Sequence, residues 1–444
     1  MKRLFSFVLL MVLSLTVLTA CSKSNETASN DTNKQEAKND NKGKVTTLSF
    51  WTFNELHGVF MDDAVEAWNE ANPDQQIELK SEVYPYDEMH NKLLIALQSG
   101  TGAPDLADIE ISKFANYIKG STPSLVPLND IIEPEKDNLI MARFDNYAKD
   151  GKYYGIDYHV GATVMYYNTE ILNKAGVKVE DIKTWKDYVE AGKKVVEATG
   201  TPMATTEVTE HWSFYPLISQ RGSDFFQADG TVILDNQQNI DTLQFLYDML
   251  HTDNIAVPAP GGFHHSEEYW AFMNNGGAAS LMMPLWYMGR FVSYMPDLKG
   301  KIAITPLPVW EEGGNRSAGM GGTGTVVTVQ SKEQELAMNF LAAAKLSKEG
   351  SIKTWTQLGF DPIRWDVWDD PAMSAPNDFT DYFGTGIFEM LKEVKDEINP
   401  TNITELYPEA VSLVQKNVVF KALKEMSQTP EEALKEAANE LRNK

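Results

Sequence analysis

The sequence predicts an α/β body, and three observations predict it. Between Val45 and Ile111 the apolar residues switch back and forth between a period of two and a period near 3.6. Helix-capping signatures recur further along the chain. At 444 residues, 43% hydrophobic and 23% charged, the chain has enough material for two or three domains with buried cores.

Taken in order, Leu48 and Phe50 alternate with small polar residues and lead into Trp51, the pattern of a strand. Phe60, Ala64 and Trp68 recur at i, i+4 and i+8, one face of a helix. Ile77, Leu79, Ser81 and Val83 return to period two. Tyr86, Met89, Leu93 and Leu97 form a second helical face, stopped at Gly100, and Leu106, Ile109 and Ile111 make a third short strand. This β-α-β-α-β order predicts a largely parallel sheet covered on both faces. Thr184-Trp185-Lys186-Asp187 is a capping box for a helix burying Trp185, Tyr188 and Val196. Ser331-Lys332-Glu333-Gln334 predicts another cap, ahead of Leu336, Phe340, Leu341 and Ala344. Thr429-Pro430-Glu431-Glu432 joins a cap to Pro at the first helical position, ahead of Leu434, Ala437, Ala438 and Leu441. Trp68 and Trp185, on apolar helical faces, are core residues. No repeat of 20–50 residues is visible, which argues against solenoids and propellers.

Residues 1–20 are read as a secretory signal: Lys2 and Arg3 precede an apolar run from Leu4 to Ala20. The run ends Leu18-Thr19-Ala20-Cys21, which resembles the bacterial lipobox and implies lipidation of Cys21, the single cysteine of the chain. More than one acyl chain would give stable anchoring where one would not. Ser22 to Lys44 contains no large apolar residue, so residues 21–44 are expected to be the lipidated Cys and a flexible tether. One cysteine excludes an internal disulfide framework and a multi-cysteine zinc site. The net charge of −24 leaves no basic stripe with which to neutralise phosphates, which argues against nucleic acid.

Two motifs are decoys. Gly319-Met320-Gly321-Gly322-Thr323-Gly324 matches G-x-G-x-x-G, but a polar turn precedes it and the β-branched run from Thr325 to Val329 follows, where a dinucleotide site needs a strand before and a helix after. His264-His265-Ser266-Glu267-Glu268 has donor types suited to a metal, but adjacent residues point to different sides, so it reads as a polar loop. More telling is a concentration of aromatic and polar residues at predicted strand ends. These are Trp51 to His57, Tyr84 to Tyr86, Asp108 to Phe114, His211 to Tyr215, Phe263-His264, Trp286-Tyr287, and Arg364-Trp365 with Trp368. Ligand sites of open α/β sheets lie outside the carboxyl ends of strands. Ring faces for C–H surfaces beside Asp, Glu, Asn, His and Arg for hydroxyls suit a sugar.

Gly151-Lys152-Tyr153-Tyr154-Gly155-Ile156, Met165-Tyr166-Tyr167-Asn168, Ala175-Gly176, Thr184-Trp185 and Gly359-Phe360-Asp361-Pro362, in that order, resemble the family 1 extracellular solute-binding proteins of ABC importers. Phe50 to Gly58 and Asp108-Ile109-Glu110-Ile111 are most similar to the arabino-oligosaccharide-binding lipoproteins of bacilli. The resemblance implies an α/β, two-lobed periplasmic-binding-protein-like fold with hinge crossings. Lobe 1 is expected over 45–155 and 304–350, and lobe 2 over 156–303 and 351–444. It implies ligand contacts at Asn54, Glu55 and His57, at Glu110 and Phe114, at Tyr158 and His159, and at the stacking ring of Trp286. Weaker transfers are Trp212, Gly321, Arg364 and Trp365. Met283-Pro284-Leu285 stands where the family often has Gly before that Trp, which leaves the pose of Trp286 open. The resemblance further implies an oligosaccharide ligand, ABC permease subunits as partners, a monomer on the extracellular membrane face, no metal, no cofactor and no catalysis. A surface-anchored glycoside hydrolase and an adhesin stay open as alternatives from the residues alone.

Overall fold

Strand β1 (Thr46–Thr52) sits with parallel neighbours on both sides, β2 (Ile77–Val83) and β3 (Leu106–Glu110). Helices α1 (Glu55–Ala71) and α2 (Tyr86–Ser99) make the crossovers. The computed structural model describes residues 45–120 and 123–444, so the signal segment, Cys21 and the tether lie outside the described residues. Trp68 is buried on α1, and its indole N–H donates to Gln75 O at 2.9 Å. Alternation along β1 sends Leu48 and Phe50 into one core, with Trp68 and Phe340, and Trp51 into another, with Met89, Leu93 and Ile109.

Beyond β3 the sheet departs from the expectation of a largely parallel one. Strand β8 (Thr323–Val327) lies antiparallel beside β3, and β4 (Ile156–Asp157) lies antiparallel beside β8, so the order is β2-β1-β3-β8-β4. The β-α-β-α-β unit accounts for the parallel half. The antiparallel half comes from segments distant in sequence, which local periodicity does not report.

A second sheet has β5 (Thr163–Asn168) at its centre, antiparallel to β6 (Ser280–Pro284) and β7 (Ile302–Thr305). Its alternation is again visible in the cores: Met165 and Tyr167 join one cluster, Val164 and Tyr166 the other. Helix α4 (Trp185–Thr199) carries the Thr184–Asp187 capping box, and Trp185 is buried with its N–H on Gln220 Oε1 at 2.9 Å. The last helix, α7 (Pro430–Arg442), carries the Thr429–Glu432 box. The expected cap at Ser331 does not form. Its hydroxyl donates to Asp105 at 2.6 Å and accepts Glu333 N–H at 3.2 Å, and helix α6 (Gln334–Lys345) starts beyond that turn without a side-chain cap. Asp105 also accepts Ser49 N–H and O–H, both at 2.8 Å, so this half-buried carboxylate ties the turn before α6 to β1.

Three crossings join the sheets and bond to one another: Val160 N–H donates to Asp361 O at 2.9 Å, and Met320 N–H to Gly161 O at 3.0 Å. The Asp361 carboxylate accepts Ala162 N–H at 2.9 Å. Ile156 and Asp157 pair within the first sheet, and Ile304 and Thr305 within the second. Among the described residues no helix is long and apolar enough to cross a membrane.

Candidate functional site

A cleft of about 610 Å³ has walls from both sheets and from the crossings. On the first-sheet wall, Asn54 caps α1 by accepting Leu56 N–H at 3.1 Å. One turn into α1, His57 Nδ1 bonds Asp108 Oδ2 at 2.9 Å, and the ring stacks on Tyr158 with centroids 3.9 Å apart. This leaves Nε2 as the second ring nitrogen of a cleft-lining residue. Asp108 also accepts hydroxyls of Thr52 at 2.8 Å and Thr325 at 2.6 Å. Burial would raise its pKa, but His57 and the nearby Lys345 hold it below the usual carboxylate value. Lys345 lies over the Tyr158 ring, 3.3 Å from its centroid, and burial pulls it down to about 7.

Glu110 caps the short helix α3 (Ile111–Phe114). Its Oε2 accepts Ser112 N–H and Tyr86 O–H, each at 2.9 Å, and the Ser112 hydroxyl. Its Oε1 is buried without a hydrogen-bond partner among the described residues, and burial pushes the carboxyl pKa up. Behind it, His90 Nδ1 faces Tyr86 O at 2.7 Å while Nε2 faces Glu110 N–H at 3.1 Å. A carbonyl demands a donor and an amide demands an acceptor, so one neutral tautomer satisfies both. Burial agrees, lowering this imidazole to about 4.

The opposite wall is aromatic. Trp286, in the turn after β6, donates its indole N–H to Met320 O at 3.2 Å. His265 stacks against it at 5.4 Å and 20°, and His159 lies tilted at 6.3 Å. Burial lowers both imidazoles to about 3, so they stay neutral and each can offer one donor and one acceptor. Trp212 lies against His211 at 4.1 Å. Next to them Glu210 accepts from Gln415, and burial pushes its carboxyl up to about 7.

The glycine-rich decoy turns out to be one of the crossings. Arg143 Nη2 donates to Asp157 at 2.6 Å and to Gly321 O at 2.7 Å. Gly322 sits at φ +154°, and a Cβ there would lie 2.5 Å from Arg143 Nη2 and 2.6 Å from Asp157 Oδ2. Gly321 presents its bare Cα to Trp286, where a Cβ would lie 3.4 Å from Nε1. The glycines admit an ion pair and an indole, and no helix follows for a phosphate to rest on.

Of the residues expected from sequence, Asn54, His57, Glu110, His159, Trp212, Trp286 and Gly321 line this cleft. Five others are elsewhere. Glu55 is exposed in the first turn of α1. Phe114 is fully buried against Tyr147, ring centroids 5.0 Å apart. Tyr158 is buried beneath His57, one layer behind the wall. Arg364 is buried in ion pairs with Glu135 and Asp366, each at 2.7 Å. Trp365 is 46% exposed, with its N–H on Asp137 O at 3.1 Å. Glu55, Phe114 and Tyr158 each adjoin a lining residue in sequence, Asn54, Lys113 and His159, so one position decides which side chain faces the cleft. Residues missed include Lys113, Glu210, His265, Arg290, Phe360, Gln415 and Lys416. His265 was set aside with the polar loop. Its neighbour His264 does turn away, with Nε2 3.0 Å from Thr205 Oγ1. Among the described residues no group of three or more His, Cys, Asp or Glu is placed to hold a metal.

The profile of the bacterial extracellular solute-binding proteins matches residues 54–350. Across 88% of both chains the sequence is 56% identical to the arabinooligosaccharide-binding protein of Halalkalibacterium halodurans. It is 51% identical to that of Bacillus subtilis over the whole length of both. The fold is similar to that of the GacH receptor of Streptomyces glaucescens, with a TM-score of 0.74 at 18% identity, covering 90% of this chain and 98% of the other. The chain therefore belongs to the bacterial extracellular solute-binding protein family.

Proposed function

We propose that this protein captures an arabino-oligosaccharide between its two lobes and delivers it to the membrane permease of an ABC importer, unchanged by any catalytic step. The observation that carries the reading is a cleft with ring faces on one wall and directed polar atoms on the other, in a chain identical to an arabinooligosaccharide-binding protein at 51% of positions end to end. A pentose chain has C–H faces that lie on Trp286 and Trp212, and hydroxyls that bond Glu110 Oε1, His57 and His159. A buried acceptor left unpaired costs about 1–3 kcal/mol, so Glu110 favours a ligand that supplies a hydroxyl there.

Capture works by population shift. A ligand that touches both walls binds the closed arrangement more tightly, and the equilibrium moves by that difference in affinity. The crossings near residues 158–162, 318–322 and 359–363 are the hinge, and they set the lobe boundaries. Lipidated Cys21 and the polar tether hold the monomeric body at the extracellular membrane face. Calorimetry and tryptophan fluorescence with arabino-oligosaccharides of two to eight units test the reading, and saturable binding is expected. Silence across that series and across other oligosaccharides would overturn it, as would shortened products after incubation.

A further inference from the structure

Arg290 lines the cleft, but the aromatic surface it belongs to does not stop there. Arg290 and Tyr294 lie one turn apart on helix α5 (Met288–Tyr294). The Arg290 guanidinium lies 5.4 Å from the Trp270 ring centroid and 6.0 Å from that of Tyr294. Trp270 and Tyr294 are stacked almost parallel, 4.1 Å apart at 9°. Trp270 is fixed from behind, its N–H facing His264 O and Tyr287 Oη, both at 3.2 Å. With one face on Trp270, the exposed surface of Tyr294, 45% of the residue, is its other face and its edge. A large ring left this bare, and held rigid by a second ring, is a prepared contact surface. Tyr287 is fully buried beneath His265 and Trp270, so the link at the surface is Arg290 itself, which lines the cleft and lies beside both rings of the Trp270–Tyr294 pair.

We propose that Arg290 and the Tyr294–Trp270 pair continue the cleft outward as a track: units of an oligosaccharide too long for the enclosed cleft leave it past Arg290 and lie on the outer face of Tyr294. The guanidinium edge donates to hydroxyls at the exit, and the Tyr294–Trp270 pair carries the next ring. The inference rests on the sugar reading above and adds a site for chain length. A ligand confined to the cleft gains nothing from it.

The test compares arabinobiose with arabino-octaose on the purified protein and on Tyr294→Ala and Tyr294→Phe, by calorimetry. Tyr294 is exposed, so neither change removes core packing, and thermal unfolding checks this. Tyr294→Ala should leave arabinobiose affinity within twofold and weaken arabino-octaose by about tenfold, while Tyr294→Phe retains the long-chain affinity because it keeps the ring face. Equal affinities of Tyr294→Ala and the unaltered protein for the octamer would overturn the track and leave the sugar reading intact. An equal loss for both lengths would also overturn it, by placing the ring's effect inside the cleft. Failure of the unaltered protein to bind either sugar would overturn both.

Discussion

The two walls of the cleft are built by opposite means. On the first-sheet wall polar atoms are held by polar atoms: Asp108 fixes His57, while Ser112 and Tyr86 fix Glu110, with His90 bracing both Tyr86 and Glu110 from behind. On the second-sheet wall rings hold rings, His265 on Trp286 and Trp212 on His211. A carboxylate tied down through one oxygen aims the other in a definite direction. A ring face tolerates rotation of whatever lies on it. On the reading proposed above, the first wall discriminates among hydroxyl positions, the second supplies contact area, and closure joins the two.

The largest expected effect separates an indole of the wall from an indole of the core. Trp286→Ala should weaken oligosaccharide binding by about 100-fold, roughly 2–3 kcal/mol, with a small change in stability. Trp68→Ala, which empties a buried site beside Phe340, should cost roughly 3–5 kcal/mol of stability and leave affinity nearly unchanged. Calorimetry and urea unfolding on both variants read the two effects separately. The reverse ranking would show that the aromatic wall does not hold the ligand.

Glu110→Gln probes the other wall. The amide oxygen can keep the bonds from Ser112 and Tyr86, so the amino group takes the place of Oε1 and an acceptor becomes a donor. Affinity should fall about tenfold, and a deoxy sugar lacking the matching hydroxyl should lose less on the variant than on the unaltered protein. An identical loss for every sugar would make Glu110 a structural cap and nothing more.

The contrast between the walls also explains what the sequence made legible. Periodicity identified β1, α1, β2, α2 and β3, because each buries one face and carries the pattern of that face. It missed the mixed character of the first sheet, because β8 and β4 arrive from residues 323–327 and 156–157 by chain crossings that leave no local trace. The Thr184 and Thr429 caps were readable because each hydroxyl accepts the amide three residues on, as the motif requires, whereas Ser331 accepts the Glu333 amide and the helix behind it starts only at Gln334. At the cleft, loops beginning at the end of a strand, such as Asn54 to His57, could be located. Phe114 and Tyr158 lie one layer back, a distinction of facing that motif resemblance does not carry. Gln415 and Lys416 come from the segment Val414–Lys424, which is π-helical, with Glu425 N–H bonded to Phe420 O at 2.9 Å. Wider i→i+5 winding turns side chains off the 3.6-residue stripe, so the face they present cannot be read from period.

A smaller effect concerns what braces the aromatic wall. Glu207 is fully buried behind it. Its Oε1 accepts His264 N–H at 2.8 Å and its amide N–H donates to Ser213 Oγ at 2.9 Å, next to His265 and Trp212 respectively. Burial pushes this carboxyl from 4.5 up to about 8. A pKa raised on folding means the folded state holds the proton more tightly. That contribution to stability is fully present below pH 4.5 and is lost as pH rises through 8. Glu207→Gln cannot ionise and keeps the oxygen that His264 needs. The urea midpoint of the unaltered protein should therefore fall relative to the variant between pH 5 and pH 8, and parallel curves would show that Glu207 is not held protonated.

The smallest effect is expected at Trp365, and the contrast with Trp286 gives it meaning. Both indoles stood in the sequence as candidate sugar platforms. Trp286 is wedged between His265 and Gly321, whereas Trp365 lies 46% exposed, tied through its N–H to Asp137 O and absent from the cleft lining. Trp365→Ala should change affinity by less than about twofold and stability by no more than about 0.5 kcal/mol, the usual range for a surface substitution. A tenfold loss of affinity with unchanged unfolding would mean that the ligand path bends toward the Arg364 margin. The division between an aromatic wall and a polar one would then describe only part of the surface the sugar touches.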